Sequence, residues 1–313
     1  MTETASADRT ASRRQWARSI LIIDVLAVVH IMVAIAASLI ALLFMTPLAE
    51  TTDTGSMHFP IMWAVQLAIA VPVLAFLLTR DHWLIKKLVR PVFQGFILIL
   101  PAACLALALE IAWKSVAAVP EGLAVPVTGA AAIAAVVAAA LANRVIVHDA
   151  VMIVTVTIFS AVLGVVVGPV PCMAFLGAML VLDAIEVYVS KHMIAMFEGM
   201  IGVRLIPLLI VPPTLAGLLD RPPVAIDREE DGIRTIYLGL GDIGIPSLLF
   251  VSSIMFFPGA GPAIGTLIGI FAGYRVLGYM IQNGKPHAGL PPIAGGALIG
   301  CVLGAVLTGV PLW

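Results

Sequence analysis

Residues 236–256 read IYLGLGDIGIPSLLFVSSIMF, an apolar run whose one charge, Asp242, lies near its start. About 20 such residues cross the ~30 Å hydrocarbon core of a bilayer as a helix. The rest of the 313-residue chain resembles this stretch: 61% of it is hydrophobic, 11% is charged, and the mean hydropathy is +1.12. A soluble domain is about a quarter charged. The charge here is too sparse to coat a soluble globule or to neutralise nucleic-acid phosphates, and the chain is too apolar to stay disordered. What remains is a polytopic membrane protein with lipid as its surroundings and no nucleic-acid partner.

The apolar runs place membrane spans at about 20–45, 61–79, 92–113, 123–142, 150–168, 172–190, 236–256, 261–281 and 290–311. In lipid every backbone polar group must be paired internally, and strict alternation is absent, so the spans are helices and the expected fold is all-α. A further run, 193–213, contains Glu198, Arg204 and Pro207 and reads either as a span or as an interfacial helix with a re-entrant segment. The positive-inside rule decides between them. With nine helices, the N-terminus cytoplasmic and the C-terminus outside, every Lys and Arg except Lys114 falls in or beside a cytoplasmic segment. If 193–213 crossed the membrane, Arg221, Arg228, Arg234, Arg275 and Lys285 would lie near the outside. The expected organisation is a six-helix unit over 1–190, an interfacial helix and cytoplasmic loop over 191–235, and a three-helix unit over 236–313.

Cys104, Cys172 and Cys301 all lie in apolar runs without metal-ligand spacing and read as small packing residues. No metal or other cofactor is implied. More than half of the 27 glycines lie from Tyr237 onward. Gly261, Gly265, Gly269 and Gly273 share one helix face, as do Gly296, Gly300 and Gly304, a spacing that lets helix backbones approach closely in lipid.

A carboxylate at membrane depth is costly, about 2.5–3.5 kcal/mol on insertion scales, so each one requires a reason. Asp24 lies near the cytoplasmic interface, where it snorkels or pairs. Glu110 has Lys114 one turn on. Asp149 suits the N-terminal dipole of its helix, and His30 reads as a core histidine. Asp183 and Asp242 differ. Each lies some six or seven residues inside its span from the cytoplasmic end, on helices of opposite direction. At 1.5 Å per residue both are roughly 10 Å deep and meet at one level. Two carboxylates sharing a low-dielectric site hold one proton between them. Aspartic proteolysis needs that arrangement, but so does a proton relay in a transporter or channel, and a pair that merely joins two helices would look the same. Gly239, Gly241 and Gly244 around Asp242 favour the first reading, because they open the backbone there to an extended strand.

These residues resemble the presenilin and signal peptide peptidase family of intramembrane aspartyl proteases. Gly239-Leu240-Gly241-Asp242 matches the family's GxGD motif, Asp183 matches its YD aspartate, and Ala288-Gly289-Leu290-Pro291 is similar to its PAL motif and the proline that follows. The resemblance implies catalytic roles for Asp183 and Asp242. It implies substrate positioning by Gly239, Leu240, Gly241, Gly289, Leu290 and Pro291, and transmembrane-helix proteins or peptides as substrates. Leu182 replaces the YD tyrosine and removes a hydroxyl from beside the pair. Compactness and orientation look most like a prokaryotic, archaeal member in the cell membrane, and assembly as a homo-oligomer stays open. The alternatives are a prepilin-type GxGD peptidase and a proton-coupled transporter or channel. Glu186, one turn after Asp183, is expected to tune the pair, touch substrate, face the cytoplasmic vestibule or pair with Lys191.

Overall fold

A computed structural model describes residues 2–45, 98–110, 112–113, 121–190, 206–212, 214–222, 235–281 and 287–312. Among them are eight α-helices: α1 (Thr2–Phe44), α2 (Leu98–Glu110), α3 (Glu121–Ala142), α4 (Val145–Val166), α5 (Pro169–Ala184), α6 (Leu240–Phe256), α7 (Gly261–Met280) and α8 (Leu290–Thr308). Six helical stretches are long and apolar enough to cross a membrane: Ile20–Phe44, Val125–Ala142, Val145–Val166, Pro169–Val189, Gly261–Met280 and Leu290–Thr308. α2 and α6 are shorter apolar helices. The expected span at 61–79 lies outside the described residues, as do Lys114 and Lys191.

α6 is the centre of the bundle. It packs against α1, α4, α5, α7 and α8, and every residue from Ile243 to Ser253 is buried. Large aliphatics such as Leu43, Ile299 and Leu307 are exposed instead, as a lipid-facing surface requires. α4 reaches α6 at two small residues: a Cβ on Gly164 would strike Val251, and one on Gly244 would stand 3.0 Å from Val156. Ser160 Oγ donates to the Gly244 carbonyl at 3.1 Å and Ser252 Oγ to the Val167 carbonyl at 2.7 Å, so the buried hydroxyls staple neighbouring elements together. α7 and α8 are antiparallel and nearly in backbone contact. Gly261 meets Gly304, Gly265 meets Gly300, Gly269 meets Gly296, and Gly273 meets Pro292 and Ile293. Small residues at helical spacing have produced the close approach they encode.

The structure corrects the expected start of the span at 236. Ile236–Gly239 is a β-strand (β2), antiparallel to Leu208–Val211 (β1), with Leu208 opposite Gly239 and Val211 opposite Ile236. The helix begins only at Leu240. Glycine at 239 disfavours helix there, while Ile236, Tyr237 and Leu238 favour extended backbone. The described part of the ambiguous 193–213 run is likewise extended rather than helical. β1 is pinned to α4 on its other side: Asp149 Oδ1 accepts the Ile210 N–H at 3.1 Å, and His148 Nε2 donates to the Ile206 carbonyl at 2.9 Å. The polar start of α4 therefore anchors a strand, where the sequence pointed to the helix dipole. Asp24 has its partner in Arg275 of α7, at 3.2 Å.

Candidate active site

The chain turns from strand to helix at Gly239, the N-cap of α6, and Asp242 follows as the third helical residue. From that position a carboxylate can fold back onto the N-cap N–H, as in one half of a capping box. The Gly239 N–H hydrogen-bonds Asp242 in this way, and Asp242 Oδ2 would lie 3.3 Å from a Cβ on Gly239. Pro246 stands four residues further on and has no N–H to offer the Asp242 carbonyl, so the first turn of α6 is looser than an uninterrupted helix. Gly241 is exposed, and a Cβ there would meet only Ile245 Cδ1, at 3.9 Å, which leaves space beside the carboxylate.

Asp183 comes from the last turn of α5, is 9% exposed, and interacts electrostatically with Asp242. Its Oδ2 is buried with no hydrogen-bond partner among the described residues. After Ala184 the helix widens into a π-turn, Ile185–Val189. Such turns are rare and concentrate at functional sites. Glu186 is buried in this turn and within electrostatic reach of Asp183, rather than facing an open vestibule. Tyr188, in the same turn, is 3.3 Å through its hydroxyl from His287 Nδ1, which ties the turn to the approach to α8.

The start of α8 touches both aspartates. A Cβ on Gly289 would lie 2.5 Å from Asp242 Oδ2 and 3.0 Å from its Cγ, so only a residue without one allows the carboxylate its present place. The next backbone N–H, that of Leu290, hydrogen-bonds Asp183. Pro291 follows in the first turn of the helix, where its missing N–H costs nothing. Residues 183, 239, 242, 289 and 290 are thus brought into one place by α5, α6 and α8. Leu240 and Pro291 flank it, both half-buried. Two wholly buried residues outside the expected site, Tyr274 and His30, contact one another, and Tyr274 is within electrostatic reach of Asp242.

A family model described as signal-peptide peptidase, presenilin aspartyl protease matches residues 19–310. The chain belongs to this family. It is an intramembrane aspartyl protease and a multi-pass integral membrane protein, and the family match decides between the alternatives that the aspartate spacing left open. Its fold is that of a presenilin family intramembrane aspartate protease solved in two crystal forms. The first aligns with TM-score 0.58 at 23% identity, covering 90% of this chain and 96% of the other. The second aligns with TM-score 0.56 at 23% identity, covering 88% and 96%. No curated protein matches the chain in sequence. For a protease of this family the substrates are transmembrane proteins.

Proposed function

We propose that Asp183 and Asp242 are the catalytic pair of this protease and that it hydrolyses peptide bonds within transmembrane helices. The observation that carries the reading is the start of α8, where Gly289 lies against one carboxylate and the N–H of Leu290 binds the other. Consecutive backbone positions hold two acidic groups from separate helices at one place, which is the requirement for shared acid–base work. One carboxylate takes a proton from water as the oxygen attacks the scissile carbonyl carbon. The other donates its proton to the carbonyl oxygen. The resulting gem-diol collapses as a proton passes to the leaving nitrogen, with no covalent enzyme intermediate. The proton belongs to the pair, so either aspartate can be written as the base.

A peptide bond inside a helix is sheltered by its own backbone bonds, so the substrate has to unwind. β2 ends three residues before Asp242, and a substrate strand adding to it would run directly to the pair. Gly239, Leu240, Gly241, Gly289, Leu290 and Pro291 are the positioning residues of this reading. It further places nine helices in the membrane, with the N-terminus cytoplasmic, the C-terminus outside, and water entering from the cytoplasmic end. Supporting it, the contacts Asp24–Arg275, Asp149–Ile210, Arg144–Leu219 and Tyr188–His287 gather at the bundle end to which the basic segments belong.

The test is cleavage of a single-span model substrate by the purified full chain in liposomes, with Asp183→Asn and Asp242→Asn beside it. Each variant should lose at least about 10²–10⁴-fold in rate, the usual contribution of a positioned acid or base. Equal cleavage by all three proteins would sink the assignment. Proton flux without cleavage, lost in both variants, would point to a relay instead.

A further inference from the structure

The core holds a polar contact that the aspartate pair does not use. His30 of α1 and Tyr274 of α7 are both 0% exposed, and His30 Nδ1 lies 3.0 Å from Tyr274 Oη with the rings edge to face. Two contacts fix the level of this pair. Gly273 abuts Pro292 and Ile293 in the first turn of α8, and Gly289 just before that turn abuts Asp242. Tyr274, the residue after Gly273, is therefore held by α7 at the level of the first turn of α8.

Hydrogen-bond bookkeeping gives the contact a direction. His30 Nε2 is buried and has no partner among the described residues. If the tyrosine donated to Nδ1, the proton of the neutral ring would sit on Nε2 as an orphaned buried N–H, the rarest kind of unpaired group in folded proteins. If Nδ1–H donates to Tyr274 Oη, Nε2 keeps only an unused lone pair, which is better tolerated. The tyrosine hydroxyl is then left with a proton to give, and Asp242, the carboxylate packed against the residue just before the first turn of α8, is within its electrostatic reach.

We propose that Tyr274, oriented by His30, is a positioning residue for Asp242: its hydroxyl donates toward the carboxylate from α7, at a pair to which Leu182 offers no hydroxyl. The inference rests on the catalytic reading of Asp183 and Asp242. The order His30 to Tyr274 to Asp242 crosses three helices, so the carboxylate is aligned by the core of the bundle as well as by its own helix start.

The experiment measures kcat, KM and melting temperature of the full chain in liposomes with a single-span substrate. Tyr274→Phe keeps the ring and its edge contact and removes only the hydroxyl. It should lower kcat about 10-fold or more, with KM and melting temperature nearly unchanged, as expected when an interaction made at the reacting groups is lost. His30→Leu should reproduce that loss, whereas His30→Gln, which keeps a side-chain N–H donor, should recover most of the rate. The double variant Tyr274→Phe/His30→Leu should be no slower than either single one, because the two act as one unit. Full kcat in Tyr274→Phe, or equal kcat in His30→Leu and His30→Gln, would overturn the proposal. Asp183→Asn and Asp242→Asn separate the two ideas: if they abolish cleavage while Tyr274→Phe is neutral, only the positioning role fails; if they cleave normally, the catalytic reading itself fails.

Discussion

One added carbon at Gly289 tests the site without touching an ionisable group. The new Cβ would stand 2.5 Å from Asp242 Oδ2, and what has to yield is the carboxylate rather than a backbone. A carboxylate can swing aside at small cost to folding but not at small cost to chemistry, since a misplacement of ~1 Å can lose about 10²-fold in rate. Gly289→Ala is therefore expected to lower kcat about 10-fold or more while the melting temperature stays within a few degrees of the parent. A large stability loss with normal kcat would show that Gly289 serves packing alone. The two aspartates were legible because lipid makes a lone carboxylate conspicuous. Tyr274 was not, because an apolar helix containing a tyrosine looks like any other, and its significance depends on His30, 244 residues away in the chain.

At the scale of elements, the glycines divide into those that face backbone and those that face space. Gly269 sits against the Gly296 carbonyl, whereas Gly129 and Gly177, also within helices, have nothing within 4 Å of an added Cβ. Gly269→Ala should force α7 from α8 and cost at least the ~1–3 kcal/mol of an overpacked core; Gly177→Ala should be neutral or mildly stabilising. Thermal unfolding in detergent measures both, and equal shifts would contradict the close α7–α8 contact. This zipper was readable from the four-residue repeat. The β1–β2 ribbon was not, because Ile236–Gly239 is continuous in hydropathy with the helix that follows and its pairing partner lies across a polar loop. The ribbon instead depends on Asp149, which takes the Ile210 N–H. Asp149→Ala leaves that N–H without its acceptor, a penalty of about 1–3 kcal/mol if it stays buried. Faster amide exchange confined to 208–211 and 236–239, with slower cleavage, is the expected result, and unchanged exchange there would remove the anchoring role.

For the whole molecule, one end of the bundle gathers a set of polar contacts among the described residues, and the proposal assigns the two ends to opposite sides of the membrane. Asp24, Arg144, Asp149, Arg275 and His287 belong to the first, while Gly259 and Val310, which approach one another, belong to the second. This grouping arises because each apolar run is about as long as the bilayer is thick, so charges excluded from the runs collect at their ends. The chain itself supplies the means of testing it. Cys104, Cys172 and Cys301 are all buried, so a single introduced thiol can be read with little native background. Arg221 is exposed in the loop beside Arg144, and Ala260 is exposed at the turn between α6 and α7. In sealed right-side-out vesicles, a membrane-impermeant thiol reagent should label Ala260→Cys and spare Arg221→Cys; in inverted vesicles the pattern should reverse. Labelling of both positions from one side would break the proposed topology, because α6 could then not carry Asp242 across between them. Reversed sidedness would keep the pair at one depth but turn the molecule over, so that water would reach Asp183 and Asp242 from the outer face.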